Sequence, residues 1–284
     1  LRSYSLPLLR ADLLAGITVG VVLVPQGVAY AMLAELPPIY GLYSSLLPLP
    51  IYAAMCTSRH MSIGPFALVS LLVADSVSEV VSPDNEGYIG AVMLLSLMIG
   101  LLHCLMAALN LGIIVRFISD SVLAGFTSAA AILISASQLK HLFGMHIPRA
   151  PLLETLYYIA THLTDVNPLA VFVGIAGVVL LALFKLLNTK LCQRVAVPEQ
   201  LLLLTLATFL TWALGLADEE SAIDGEPPDG GLKPFSLPVV GHVPAGLPQL
   251  VPPPMSFDLL IAMMQPAVVV GLFSFILSMS IVRT

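Results

Sequence analysis

Apolar runs of about 20 residues, separated by short polar or proline-rich stretches, recur along the chain. A helix needs roughly 20 apolar residues to cross the ~30 Å hydrocarbon core of a bilayer. Hydrophobic residues make up 58% of the 284 residues and charged residues only 10%, whereas soluble domains carry about 25% charged residues. The pattern predicts an all-α integral membrane protein that crosses the bilayer several times.

About eight membrane segments and one interfacial helix, residues 152–163, are predicted from these runs. The predicted segments are residues 13–33, 40–56, a short helix from Pro65, 88–109, 118–139, 169–187, 197–216 and 258–282. The first is expected to be interrupted at residues 24–27, because Pro25 frees a backbone carbonyl that must find a partner in protein or water. Residues 218–254, rich in acids, proline and glycine, are expected to form one long loop.

The short helix is the most informative of these segments. Proline suits the first helical position, so the sequence predicts a helix that begins near Pro65. The apolar run that follows, residues 66–73, is too short to span the bilayer, so the start of the helix should lie inside the membrane. Free backbone N–H groups at a helix start, together with the helix dipole, bind anions without a charged side chain. We therefore expect an anion site there.

Basic residues predict the orientation of the chain. With Leu1 cytoplasmic, eight Lys and Arg residues lie inside and three outside, which favours a cytoplasmic N-terminus. A plasma-membrane location is expected. Since the chain begins at Leu1 and stops at Thr284, directly after an apolar run, we expect it to be a piece of a longer protein.

Several blocks in the first half of the chain closely resemble the signature of the SulP anion transporters, called solute carrier family 26 in animals. The blocks are Val24-Pro25-Gln26-Gly27-Val28-Ala29-Tyr30-Ala31, Leu36-Pro37-Pro38-Ile39-Tyr40-Gly41-Leu42-Tyr43-Ser44-Ser45, Thr57-Ser58-Arg59-His60-Met61-Ser62-Ile63-Gly64-Pro65-Phe66-Ala67, residues 117–127 and residues 139–144. Residues 271–283, at the end of the eighth segment, carry serines and no acid, which resembles the animal branch and disfavours coupled symport relative to anion exchange or uncoupled conductance.

The resemblance implies a fold of seven plus seven inverted segments, in which short third and tenth helices point their N-termini at a bound anion. Residues 1–284 would hold segments one to eight, with the remaining segments and a cytoplasmic STAS domain absent from this chain. The implied anion-binding residues are Gln26, Tyr30, Pro65, Phe66 and Ala67. Packing between helices is the alternative role for Gln26, Tyr30 and Phe66. His103, in the fourth segment, is expected to be a satisfied buried histidine rather than a proton relay.

The implied function is secondary-active exchange of anions such as chloride, bicarbonate, sulfate or oxalate by alternating access. The alternatives are a truncated, transport-inactive membrane protein and a motor-like or scaffold member of the family. The expected partners are anions, the lipid bilayer and, in the full-length protein, a second copy that completes a homodimer. Nucleic acid is not expected to bind. No nucleophile with its acid and base, phosphate-binding loop or metal-ligand spacing occurs, so we expect neither an enzyme nor a cofactor or metal.

Overall fold

A computed structural model of the chain describes residues 5–55, 63–111, 120–145, 147, 152–191, 199–218, 237–238, 243–248 and 251–283. Apart from one pair of two-residue strands, the regular structure of these residues is helical, which confirms the all-α prediction. The chain divides into two compact units, described separately below. The first unit is Leu1–Gln26 with Ser135–Val243, and the second is Gly27–Ile134 with Pro244–Thr284.

The helices are, in chain order, α1 (Leu6–Leu33), α2 (Pro38–Leu46), α3 (Pro48–Met55), α4 (Ala67–Ser78), α5 (Gly87–Ala108), α6 (Asp120–Ser137), α7 (Leu139–Phe143), α8 (Leu152–Thr161), α9 (Pro168–Leu191), α10 (Glu199–Ala213), α11 (Phe257–Ala262) and α12 (Met264–Arg283). The interfacial helix predicted at 152–163 corresponds to α8. Strand β1 (Ala217–Asp218) pairs in parallel with β2 (Leu237–Pro238), at the start of and within the region predicted to be loop.

Three helices among the described residues are long and apolar enough to cross a membrane: Leu8–Leu33, Gly87–Ala108 and Pro168–Leu186. They correspond to the first, fourth and sixth predicted segments. The predicted interruption at residues 24–27 is wrong, because α1 continues through Pro25. A proline removes a single backbone hydrogen bond, and a membrane helix can continue when its neighbours compensate for that loss.

Two predicted single segments are broken in the structure. The second divides into α2 and α3 at Leu47, and the eighth divides into α11 and α12 at Met263. In each case a proline follows the break, Pro48 in the first and Pro266 in the second. Since proline has no N–H to donate to the carbonyl four residues before it, the helical hydrogen-bond ladder is interrupted at both places.

The core of the second unit lies where α5 meets α12. Its buried side chains are Val77, Tyr88, Ala91, Val92, Leu94, Leu95, Met263 and Ala267. Tyr88 is only 1% exposed, and its hydroxyl donates a hydrogen bond to the carbonyl of Ala34 (2.9 Å). A buried tyrosine hydroxyl needs such a partner, so this bond ties the end of α1 to the start of α5.

In the first unit, α7 packs against α9 through a compact turn. Gly144 has a φ of +59°, and a Cβ placed there would lie 2.7 Å from the Cβ of Ala170. Asn167, 5% exposed, accepts hydrogen bonds from the N–H groups of Leu169 (3.0 Å) and Ala170 (3.3 Å). Its own N–H donates to the carbonyl of Phe143 (2.9 Å). Asn167 therefore caps the start of α9 and joins it to the end of α7.

Large apolar side chains are exposed along the long helices. Examples are Leu14 on α1, Phe172 and Val178 on α9, and Trp212 on α10, each at least 67% exposed. A soluble monomer rarely exposes so much contiguous apolar surface, whereas a membrane protein presents it to lipid. The exposure agrees with helices that lie in a bilayer.

Candidate functional site

The start of α4 is a helix N-terminus without a side-chain cap. Phe66 occupies the N-cap position with an extended backbone (φ −128°, ψ 127°), and α4 begins at Ala67. The first helical hydrogen bond runs from the N–H of Ser70 to the carbonyl of Phe66 (2.9 Å). The N–H groups of the first turn, at Ala67, Leu68 and Val69, thus precede the hydrogen-bond ladder, where a helix can donate to an anion.

The predicted short helix is present, and it begins at Ala67, two residues after Pro65. Pro65 does not occupy the first helical position, because the extended backbone of Phe66 separates it from the helix. Proline fixes only its own φ and leaves the next residue free to be extended. Consequently the free backbone N–H donors at this helix start belong to Ala67 and the residues after it. Pro65 lies in the segment that precedes the helix.

The side chain of Phe66 is 43% exposed, and Pro65 is half-buried beside it. Neither carries a polar side-chain group. An anion held at this helix start would therefore receive hydrogen bonds from the backbone of α4 and none from the side chains of Pro65 and Phe66, with an aromatic ring as an apolar neighbour.

The packing of α4 places α12 next to this helix start. Leu68, the second residue of α4, is 5% exposed and forms a buried cluster with Leu277 of α12. Val69, Leu72 and Ile134 pack against the pair. Sequence reasoning assigned α12 no part in the site. It had no signal to use, because the apolar residues of both helices are spread around the helix and mark no preferred face.

Gln26 and Tyr30 lie one turn apart on α1, and both are half-buried. Residues four apart in a helix share a face, so the two side chains are neighbours along α1. The division of the chain falls directly after Gln26, which belongs to the first unit, while Tyr30, Pro65, Phe66 and Ala67 belong to the second. Of the five predicted site residues, the structure brings together the three consecutive ones at the start of α4.

A small polar cluster lies between α5 and α12. His103 Nε2 is 2.9 Å from the carbonyl oxygen of Gly271 and 3.3 Å from Ser274 Oγ, which itself donates to the same carbonyl (3.0 Å). The ring of Phe275 lies 6.0 Å away, measured between centroids. His103 is therefore hydrogen-bonded, as predicted, although it is half-buried rather than buried. Within the part of the chain that the structure describes, no group of three or more His, Cys, Asp or Glu side chains is placed to hold a metal ion.

Long apolar helices, helices broken at prolines and an uncapped helix start define a multi-pass helical membrane protein. The sequence profile of the sulfate permease family matches residues 9–284. The chain belongs to the sulfate permease family.

Similar proteins come from plants and animals. The chain is 50% identical to the chloroplastic sulfate transporter 4.1 of Arabidopsis thaliana over 151 residues, which are 52% of this chain and 22% of that protein. It is 35% identical to human solute carrier family 26 member 6 over 283 residues, covering 93% of this chain and 35% of that protein. The chain thus spans between about a fifth and about a third of the length of these two relatives.

Solved structures share the fold. The structure of SLC26A9 matches with a TM-score of 0.80 at 24% identity, covering 99% of this chain and 44% of that chain. The transmembrane domain of the cyanobacterial bicarbonate transporter BicA matches with a TM-score of 0.72 at 21% identity, covering 95% of this chain and 64% of that domain. The predicted family and helical transporter fold are confirmed, whereas the seven-plus-seven repeat stays a prediction.

Proposed function

We propose that this chain is part of the transmembrane domain of a secondary-active anion transporter, which exchanges chloride, bicarbonate, sulfate or oxalate by alternating access. Membership of the sulfate permease family supports anion transport as the general activity. The observation that carries the proposal within the structure is the uncapped start of α4, which offers backbone donors in an apolar setting. Residues 1–284 would form one part of this domain, and the complete transporter would be a homodimer.

The proposed anion site comprises Gln26, Tyr30, Pro65, Phe66 and Ala67. The side-chain amide of Gln26 would donate to the anion, and the backbone N–H of Ala67 would add a second donor. Tyr30 and Phe66 would provide aromatic walls that favour a partly dehydrated ion. The resemblance of the Pro25-Gln26-Gly27 and Gly64-Pro65-Phe66 blocks to the family signature supports this assignment.

A transport assay tests the proposed activity. The longest reading frame that contains this sequence would be expressed, purified and reconstituted in liposomes loaded with chloride. We expect radiolabelled sulfate to enter these liposomes faster than liposomes loaded with gluconate, because exchange requires a transported counter-anion. Inserted, folded protein that takes up no sulfate, chloride, bicarbonate or oxalate would favour the transport-inactive alternative, which the short span of the chain relative to its relatives keeps open.

Replacing Gln26 with alanine should weaken anion affinity by about 10-fold or more. A hydrogen bond to a charged group contributes roughly 1.5–3 kcal/mol, and about 1.4 kcal/mol corresponds to a factor of ten. The apparent KM for sulfate would be measured at matched protein density. Thr18→Ala is the control, since Thr18 lies on the same helix and its hydroxyl donates to the Leu14 carbonyl of that helix (2.8 Å). An unchanged KM in Gln26→Ala would remove Gln26 from the site.

We further propose a plasma-membrane location with the N-terminus in the cytoplasm. An epitope tag inserted at Gly230, between β1 and β2 in sequence, should then be labelled by antibody on intact cells. A tag placed before Leu1 should be labelled only after the cells are permeabilised. The opposite pattern would refute the orientation, and labelling of both tags on the same side of the membrane would refute an odd number of segments between them.

A further inference from the structure

The cluster of His103, Gly271 and Ser274 has a defined hydrogen-bond arrangement. A backbone carbonyl can only accept, so the 2.9 Å contact requires that His103 Nε2 carries a proton and donates it to the Gly271 oxygen. Ser274 Oγ donates to the same oxygen. A Cβ placed on Gly271 would lie 2.7 Å from Leu102 Cδ2, so the absence of a side chain there allows α12 to approach α5 closely.

This cluster joins two differently packed parts of α12. On its N-terminal side, Ala267 (4% exposed) and Val270 (0%) are buried, and Ala267 belongs to the core that α12 shares with α5. On its C-terminal side, Leu277 packs against Leu68 in the first turn of α4. Ser274 and Leu277 are separated by about one helical turn. The rotation and position of α12 at the cluster therefore determine where Leu277 contacts the start of α4.

We propose that His103 is a positioning residue for anion binding. By donating to the Gly271 carbonyl, it fixes the rotation of α12 about its axis, and through Leu277 and Leu68 it holds the first-turn N–H groups of α4 in place. His103 itself does not contact the anion. This inference rests on the proposed function in one respect, namely that the start of α4 binds the anion.

Three substitutions at position 103 distinguish a positioning role of the His103 hydrogen bond from a packing role of its ring. His103→Gln keeps an N–H donor close to the Nε2 position. His103→Asn is polar but too short to place its donor there, and His103→Phe keeps a ring without the donor. Cys104→Ala is the control, because Cys104 is the next residue on α5 and is exposed.

The first readout is sulfate transport at matched protein density. We expect His103→Phe and His103→Asn to raise the apparent KM by about 5-fold or more with little change in maximal rate, and His103→Gln to stay within about 2-fold of the wild type. A KM that is unchanged in His103→Asn, or in a folded His103→Phe, would overturn the proposal. An equal rise of the apparent KM in His103→Gln and His103→Phe would also overturn the proposal.

The second readout does not depend on transport. Amide hydrogen exchange of the purified protein would be measured at residues 70–73, whose N–H groups form the first hydrogen bonds of α4. Exchange there should be about 5-fold faster in His103→Asn than in His103→Gln. Unchanged exchange at α4 would overturn the positioning role even if sulfate uptake were present. Altered exchange in a protein that takes up no anion would support the helix coupling while contradicting the proposed function.

Discussion

Gly41→Ala is expected to destabilise the folded protein strongly. A Cβ at Gly41 would overlap the carbonyl group of Gly27 and lie 3.0 Å from the Cβ of Ala31. The obstructing atoms of Gly27 belong to the backbone of α1, so no side-chain rotation can relieve the overlap, and the helices must separate. Overpacking alone costs about 1–3 kcal/mol, and we expect at least the upper end of that range where two backbones are forced apart.

The measurement is the monodisperse fraction and thermal midpoint of the purified protein, with Gly100→Ala as the control. Gly100 lies on α5 in the same unit, and a Cβ there would meet nothing within 4 Å. Both variants replace a helical glycine with alanine, so the gain in helix propensity is the same in each. A Gly41→Ala protein as stable as Gly100→Ala would show that α1 and α2 do not cross as closely as described.

The close crossing shows how a sequence motif can be recognised before its physical reason is known. Gly27 and Gly41 both stand in the blocks that resemble the SulP signature, but nothing in their spacing indicates that they touch. The structure supplies the reason, since a Cβ on Gly27 would lie 2.9 Å from the carbonyl oxygen of Gly41. Small residues permit such contacts between membrane helices.

The long helices could be predicted because length and apolar composition are enough to define them. Helices α1, α5 and α9 begin and end within a few residues of the prediction, except for the earlier start of α1 at Leu6. The breaks before Pro48 and Pro266 were missed, although the sequence contains both prolines. A proline in a membrane helix can bend it, break it or leave it continuous, as Pro25 does, and neighbouring helices decide which occurs.

Only the local part of the candidate site could be predicted. Pro65, Phe66 and Ala67 are consecutive, so one block of sequence identifies them. The pairing of Leu68 with Leu277 and the hydrogen bond between His103 and Gly271 join residues far apart in the chain, the latter 168 positions apart. An apolar helix gives no indication of which neighbour it contacts, so these pairs required the tertiary structure.

The backbone N–H of Ala67 can be removed without disturbing α4. Proline is tolerated at the first helical position, where the lost N–H has no partner within the helix. The residue before a proline prefers an extended conformation, and Phe66 already has one (φ −128°, ψ 127°). Ala67→Pro should therefore fold normally while losing one anion donor. Ala67→Val is the control, because it adds similar bulk and keeps the N–H.

Loss of this donor should weaken anion binding by about 10-fold to 100-fold, the range that corresponds to roughly 1.5–3 kcal/mol for a hydrogen bond to a charged group. The backbone donor is held rigidly by the helix, and the proline ring occupies its place, so water cannot easily substitute for it. This effect should be at least as large as that of Gln26→Ala, where water can enter the vacated space.

The sulfate dissociation constant of Ala67→Pro, compared with that of Ala67→Val by isothermal titration calorimetry on purified protein, tests most directly whether the start of α4 binds the anion. The prediction is a dissociation constant about 10-fold or more higher in the proline variant, with equal thermal midpoints for the two proteins without sulfate. Equal dissociation constants in two equally stable proteins would contradict an anion site at the start of α4.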